Sequence, residues 1–175
     1  MDKQKFFQVL TSVSTIAVTC LMSVNPVQSQ SSNSWVIKNS HSNLCLNVLN
    51  RGLQNGDNIV QADKACSFSS SKWTFKAIGD GYYNITALHS DMCLNVLNFG
   101  GNNGDNVVQA RDCNQYSSQW KLVKVSNNNR YNIVARHSGL CLNVLNKGTS
   151  NGNNVVQARD CRQESSKWYF NRKTI

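Results

Sequence analysis

The chain has 175 residues, 40% hydrophobic and only 15% charged, with 18 Lys and Arg against 9 Asp and Glu and a net charge of +9. That balance excludes a disordered chain, which could not bury enough apolar surface to offset ordering, and the length fits one domain after a short leader is removed. Asn, Ser and Gln take the place of the missing charge, which suits an exported polar binder better than a cytosolic enzyme.

The first elements in chain order form a leader. Lys3 and Lys5 make a basic start, Phe6 to Val24 is mostly apolar, and Val27-Gln28-Ser29 offers small residues for cleavage. The pattern predicts a signal peptide over 1–29 and a mature domain over 30–175, secreted or periplasmic. Gln8, Ser12, Ser14 and Thr15 dilute the apolar run, which argues against an uncleaved anchor and against stable membrane insertion after cleavage. Ala17-Val18-Thr19 before Cys20 lacks the Leu and the small residue of a lipoprotein signal.

After the leader one text recurs at a fixed interval: HSNLCLNVLN from His41, HSDMCLNVLN from His89 and HSGLCLNVLN from His137. Each is followed by a second block starting at Asn55, Asn103 or Asn151, and then by Ser-Ser-x-Trp ending at Trp73, Trp120 or Trp168. Repeats of this length are single supersecondary units that bury a shared core only by stacking on each other. The units span about 35–80, 81–129 and 130–175.

Each unit reads as four strands. The first strands are Trp35 to Lys38, Tyr82 to Ala87 and Arg130 to Ala135. In the second, Leu44, Leu46 and Val48 alternate with Cys45 and Asn47, the period of a half-buried strand. The third strands are Ile59 to Ala62, Val107 to Ala110 and Val155 to Ala158. The fourth pair Trp73 with Phe75, Trp120 with Leu122 and Trp168 with Phe170. Twelve strands result, an all-β fold. Asn-Gly at 55–56, 103–104 and 151–152 supplies the positive φ of tight hairpin turns.

Six cysteines remain in the mature chain, two per unit: Cys45 and Cys66, Cys93 and Cys113, Cys141 and Cys161. Sequence alone allows 15 pairings of six cysteines. Repeat symmetry and an exported location favour one bridge inside each unit, closing a loop whose constraint is worth roughly 3 kcal/mol. The competing reading is zinc on His41, Cys45 and Cys66 and their counterparts, which lacks a fourth ligand and a tight Cys-x-x-Cys pair. Three histidines about a threefold axis are a further metal arrangement, set against histidines that bond nearby backbone. No metal or other cofactor is expected.

The order Cys-Leu-x-Val, Asn-Gly, Val-Gln, Cys and Trp, three times over, resembles the ricin-type (R-type) β-trefoil lectins and carbohydrate-binding modules across the whole mature chain. The resemblance implies a β-trefoil: a six-stranded barrel capped by three hairpins, with the three tryptophans inside and one disulfide per unit. It also implies non-catalytic carbohydrate binding, possible at more than one unit. Departures from the family pattern bear on the sugar. The family's Asp after Cys-Leu is Asn47, Asn95 and Asn143, and an amide lacks the charge that strengthens such bonds. Its strand glutamine is kept as Gln61, Gln109 and Gln157. Its stacking aromatic is replaced by Asp63, Arg111 and Arg159, and its Gln-x-Trp has become Ser-x-Trp.

Residues shared by all three units serve the common core and turns, so a ligand is sought where the units differ. Phe99 stands where the others have Arg51 and Lys147, and Tyr116 where they have Ser69 and Glu164. The candidate site is therefore Asn95, Phe99, Gln109, Arg111 and Tyr116 in the middle unit. Asn47 and Gln61, and Asn143, Gln157 and Arg159, are its counterparts. For the amides, capping of turns is the equal alternative; for Phe99 it is cover for its own hairpin. Asn84-Ile85-Thr86 matches a glycosylation acceptor but falls in an expected strand.

Leader removal lowers the net charge by one, because Lys3 and Lys5 outweigh Asp2. The remaining basic surface attracts polyanions. The expected partners are glycans, acidic ones included, with anionic polymers or surfaces and an inert protein-interaction trefoil as the alternatives. Nucleic acid is not an expected partner. The carboxylates lie mostly in turns, no nucleophile motif occurs, and no acid and base pair stands out, which argues against an enzyme.

Overall fold

The computed structural model describes residues 34–126 and 129–173; the expected leader and its cleavage site lie outside the described residues. The twelve strands are β1 (Ser34–Asn39), β2 (Cys45–Val48), β3 (Ile59–Ala62), β4 (Trp73–Gly79), β5 (Tyr82–Ala87) and β6 (Cys93–Val96). They continue with β7 (Val107–Ala110), β8 (Gln119–Ser126), β9 (Arg130–Ala135), β10 (Cys141–Val144), β11 (Val155–Ala158) and β12 (Trp168–Lys173).

Antiparallel pairing closes six of them into a barrel in the order β1, β4, β5, β8, β9, β12 and back to β1. The other six form three hairpins, β2–β3, β6–β7 and β10–β11. Single bridges join the hairpins in a ring, Asn58 to Val108, Asn106 to Val156 and Asn154 to Val60. This is the β-trefoil.

The core repeats with the sequence. Trp73, Trp120 and Trp168 are fully buried with Leu46, Leu94 and Leu142, Val48, Val96 and Val144, and Ile37, Ile85 and Ile133. A buried indole needs a partner for its N–H. Each Nε1 donates to the leucine carbonyl of its own unit: Trp73 to Leu46 (3.0 Å), Trp120 to Leu94 (2.8 Å) and Trp168 to Leu142 (2.9 Å). Disulfides join Cys45 to Cys66, Cys93 to Cys113 and Cys141 to Cys161, one per unit.

Three local expectations change. First, strands β2, β6 and β10 are buried on both faces rather than alternating, because a 3-10 turn ending in two serines covers the second face. Leu44 is buried outside the central cluster. Second, the Asn-Gly pairs do not make two-residue hairpins. The strands of each hairpin are joined by long loops such as 49–58, in which Asp57 N donates to Gln54 O and only Gly56, of the pair, has positive φ (92°). That is a type II turn. Third, Asn84 is buried and its Nδ2 donates to Cys113 O (2.7 Å) and Ser118 O (3.2 Å), so the glycosylation match is a structural amide.

Candidate functional site

The three loops between hairpin strands start alike. Asn50, Asn98 and Asn146 adopt left-handed φ, as do the next residues, Arg51 (55°), Phe99 (58°) and Lys147 (56°). Asparagine tolerates this region, but a bulky side chain there is strained and is held only by its surroundings. The consequence is that the position where the units differ is turned outward on the rim.

The glutamines tie each loop to a neighbouring unit. Gln109 Nε2 donates to Gly52 O and Gln54 O (both 3.0 Å), and its Oε1 accepts from Ser90 Oγ (2.7 Å). Gln157 does the same to Gly100 O (2.8 Å), Asn102 O (3.0 Å) and Ser138, and Gln61 to Gly148 O (2.8 Å), Ser150 O (3.1 Å) and Ser42. All three are fully buried. His89 Nε2 and His137 Nε2 lie 2.9 and 2.7 Å from Gly52 O and Gly100 O, so these histidines meet another unit's backbone rather than their own. Among the described residues no three His, Cys, Asp or Glu side chains converge as metal ligands.

A second amide set lies on the axis. Asn58 donates to Asn154, Asn154 to Asn106 and Asn106 to Asn58, a closed ring with distances of 2.6, 2.6 and 2.5 Å. The ring is invisible from spacing alone because each bond joins different units.

Asn47, Asn95 and Asn143 are buried against the paired serines of their own units. Asn95 Nδ2 donates to Ser117 Oγ (2.9 Å) and Ser118 Oγ (2.7 Å), and Asn143 Nδ2 to Ser165 Oγ (3.0 Å) and Ser166 Oγ (2.6 Å). In the first unit the serines donate instead, Ser70 and Ser71 to Asn47 Oδ1, at 2.7 and 2.8 Å. Hydroxyls and amides both donate and accept, so either sense satisfies the pair. Ser118 passes its own proton to Asp112 O (2.9 Å), leaving its oxygen free to accept from the amide. An acceptor-only aspartate could not occupy Asn95 without reversing that chain. In the second and third units the Asn after Cys-Leu and the Ser of Ser-x-Trp are therefore direct hydrogen-bond partners, as they are with the opposite sense in the first.

Among the expected site residues, Phe99, Tyr116, Arg111 and Arg159 are exposed. Phe99 packs against His137 with ring centroids 4.8 Å apart and planes tilted by 58°, and the Arg136 guanidinium lies 4.4 Å from the Tyr116 ring. Their two turns touch, so the middle unit brings Phe99 and Tyr116 to one stretch of rim, with Asn95 beneath. Arg111 and Arg159 stand on the seams between units, their backbone N–H groups donating to Asn55 Oδ1 (2.9 Å) and Asn103 Oδ1 (3.0 Å).

A cleft of about 380 Å³ opens where the second and third units meet. Its polar wall is Asn103 from the second unit with Asn143, Asn146, Lys147, Gln157 and Gln163 from the third. Leu145, partly exposed, gives it an apolar edge, and no carboxylate lines it. Sequence reasoning selected Asn143 and Gln157 but missed Asn103, Asn146, Lys147 and Gln163. The available signal was the position of Lys147, equivalent to Phe99, where the repeat varies among Arg51, Phe99 and Lys147. In the first unit the corresponding rim carries Arg51 with its guanidinium 4.4 Å from the Phe68 ring.

Nearby carboxylates are tied down. Glu164 is held below its ordinary pKa by the hydrogen bond from Lys167 and by the charges of Lys167 and Arg130. Asp160 is lowered by the backbone N–H and side chain of Arg162, and Asp63 by bonds from Ala65 and Ser67.

A closed six-stranded barrel with three capping hairpins and a polar rim cleft defines the chain as a threefold β-trefoil. A family model described as ricin-type beta-trefoil lectin domain-like matches residues 23–110, 69–158 and 116–174. The chain belongs to this family. No curated protein sequence matches it. Among solved structures it is similar to ThreeFoil, a designed threefold symmetric protein, with 33% identity over 78% of this chain and 96% of that one (TM-score 0.75). It shares its fold with the exo-β-1,3-galactanase 1,3Gal43A of Clostridium thermocellum, with 24% identity over 79% of this chain but 30% of that one (TM-score 0.76). The Rhizoctonia solani agglutinin also shares the fold, at 18% identity over 80% and 94% of the two chains (TM-score 0.71).

Proposed function

We propose that the mature chain is an exported, non-catalytic carbohydrate-binding domain that engages glycans at rim clefts, more than one per molecule. The observation that carries this reading is the cleft between the second and third units, walled by amides and one lysine. Asn143 and Gln157 are committed to the scaffold, while Asn146 and Lys147 are exposed and Gln163 partly so. The amides of Asn146 and Gln163 offer paired donors and acceptors that match sugar hydroxyls. A glycosidase needs two carboxylates flanking the bond, and this cleft has none on its walls. The middle-unit rim adds Phe99 and Tyr116, half-exposed rings suited to stacking on a sugar face. Weak sites on one polymer gain avidity when several engage together. Three disulfides suit an oxidising compartment and support export.

The test is a glycan array of the mature protein at low and high salt, followed by titration of the best glycan against Lys147→Ala and Phe99→Ala. Silence on all glycans at low salt rejects the reading. A polyanion-binding reading is favoured by one observation, the absence of Asp and Glu from all six barrel strands. Binding confined to acidic polymers and lost steeply with salt would promote it.

A further inference from the structure

We propose that the open end of the barrel is a second binding site, separate from the rim clefts, for a small aromatic anion. A cavity of about 740 Å³ lies there. Its walls form two threefold sets. Trp35, Tyr83 and Tyr131 are counterparts in the three units, and Phe75, Leu122 and Phe170 are counterparts one level further along the barrel. The rings meet mainly edge to face: Phe75 lies 6.3 Å from Trp35, 6.3 Å from Tyr83 and 5.5 Å from Phe170, with interplanar angles of 83–90°. Such edges and faces present the geometry that a further aromatic ring prefers. A concave, mostly apolar cavity of this size at a barrel mouth is the usual form of a small-molecule site.

The threefold pattern of these walls is broken twice, by Trp35 among the tyrosines and by Leu122 among the phenylalanines. Leu122 replaces the phenylalanine of its counterparts, and the cavity spreads on that side to Gly81, Lys121 and Asn129. Beneath it the core is complete, with Trp73, Trp120 and Trp168 fully buried, so the space is not needed to close the fold.

Charge selects the sign of the ligand. Lys121 lines the cavity, and the barrel strands also carry Lys76, Lys124, Arg172 and Lys173 but no Asp or Glu. The carboxylate at the nearby β4–β5 turn, Asp80, faces Arg136 at 3.6 Å. An aromatic sulfonate or carboxylate therefore places its rings among Trp35, Tyr83 and Tyr131 and its charge toward Lys121.

The probe is 8-anilinonaphthalene-1-sulfonate, titrated into the folded full-length mature protein and read by energy transfer from tryptophan. The expected result is saturable binding at one site per chain, unaffected by a saturating glycan. Leu122→Phe restores the third phenylalanine and narrows the cavity on the Lys121 side. It weakens binding without loss of stability. Lys121→Glu, at an exposed position, weakens binding roughly fivefold, the scale of one surface charge interaction. Near-UV circular dichroism confirms that each variant is folded; if Leu122→Phe is not, Lys121→Glu decides. Absence of saturable binding, or a folded variant of either kind that binds like the parent, overturns the proposal.

Discussion

Near the axis, Gln61, Gln109 and Gln157 make the same bonds at equivalent places, whereas on the rim Arg51, Phe99 and Lys147 share one left-handed backbone position and have three different surroundings. Arg51 lies over Phe68, Phe99 packs against His137, and Lys147 borders an open cleft. The difference teaches where selection for assembly stops. A buried amide that satisfies two carbonyls of another unit cannot change in one copy without leaving those groups unpaired. A rim side chain held outward by the backbone can change freely, provided the loop beneath it stays fixed.

Substitution should separate the two regions, starting at the axis. Gln157→Leu removes the donor from Asn102 O, leaves Gly100 O only His137, and takes the acceptor from the Ser138 hydroxyl, and it should cost about 2 kcal/mol in denaturant unfolding. A cost near zero would mean that the seams are not held by these amides, and the contrast would collapse.

Asn143 lies between the regions, buried yet on the cleft wall. Asn143→Ala should destabilise by about 2 kcal/mol, because Ser165 and Ser166 lose their shared partner. Asn143→Asp should cost less, since both hydroxyls can turn to donate, and comparison of the two unfolding midpoints checks it. Equal losses would show that the amide donor itself is required.

Lys147→Gly should move stability and binding in opposite directions. Glycine relieves the left-handed φ of 56° and should leave the fold as stable or more stable by about 1 kcal/mol, while glycan affinity falls. Thermal unfolding and titration on the same variant read both. A loss of stability would move Lys147 from the rim to the scaffold side of the comparison.

The smallest effect concerns Glu164. Its pKa is lowered in the folded state from the ordinary 4.5, first by the bond from Lys167. Its contribution is therefore present above that ordinary value and is lost as pH falls through the lowered one. Glu164 itself is 46% exposed, so Glu164→Gln should cost less than about 1 kcal/mol at neutral pH and slightly flatten the acid limb of a stability profile.

Much of the fold was legible along the chain. Residues that meet inside one unit leave a local signature, so the strand positions, the paired cysteines and the Trp positions all appear at their repeat spacings, although β2, β6 and β10 are buried on both faces instead of alternating. The turn chemistry was read less well. Asn-Gly marks a turn, but loop length decides which turn it makes, and Asn50 and Arg51 adopt their left-handed conformation without any glycine to announce it.

The candidate site was only half legible. Phe99 and Tyr116 stood out by breaking the repeat, and the structure sets them on one stretch of rim. Asn103 and Gln163 wall the same cleft from different units, and no local pattern joins them. By itself the sequence determined the repeat, the strands and the pool of amides and cations, since periodicity and composition are properties of the chain. Only the tertiary structure decided which amides are committed to scaffold and which face a cleft. Those bonds join residues brought together by closure of the barrel, as Gln157 meets Gly100 57 positions away.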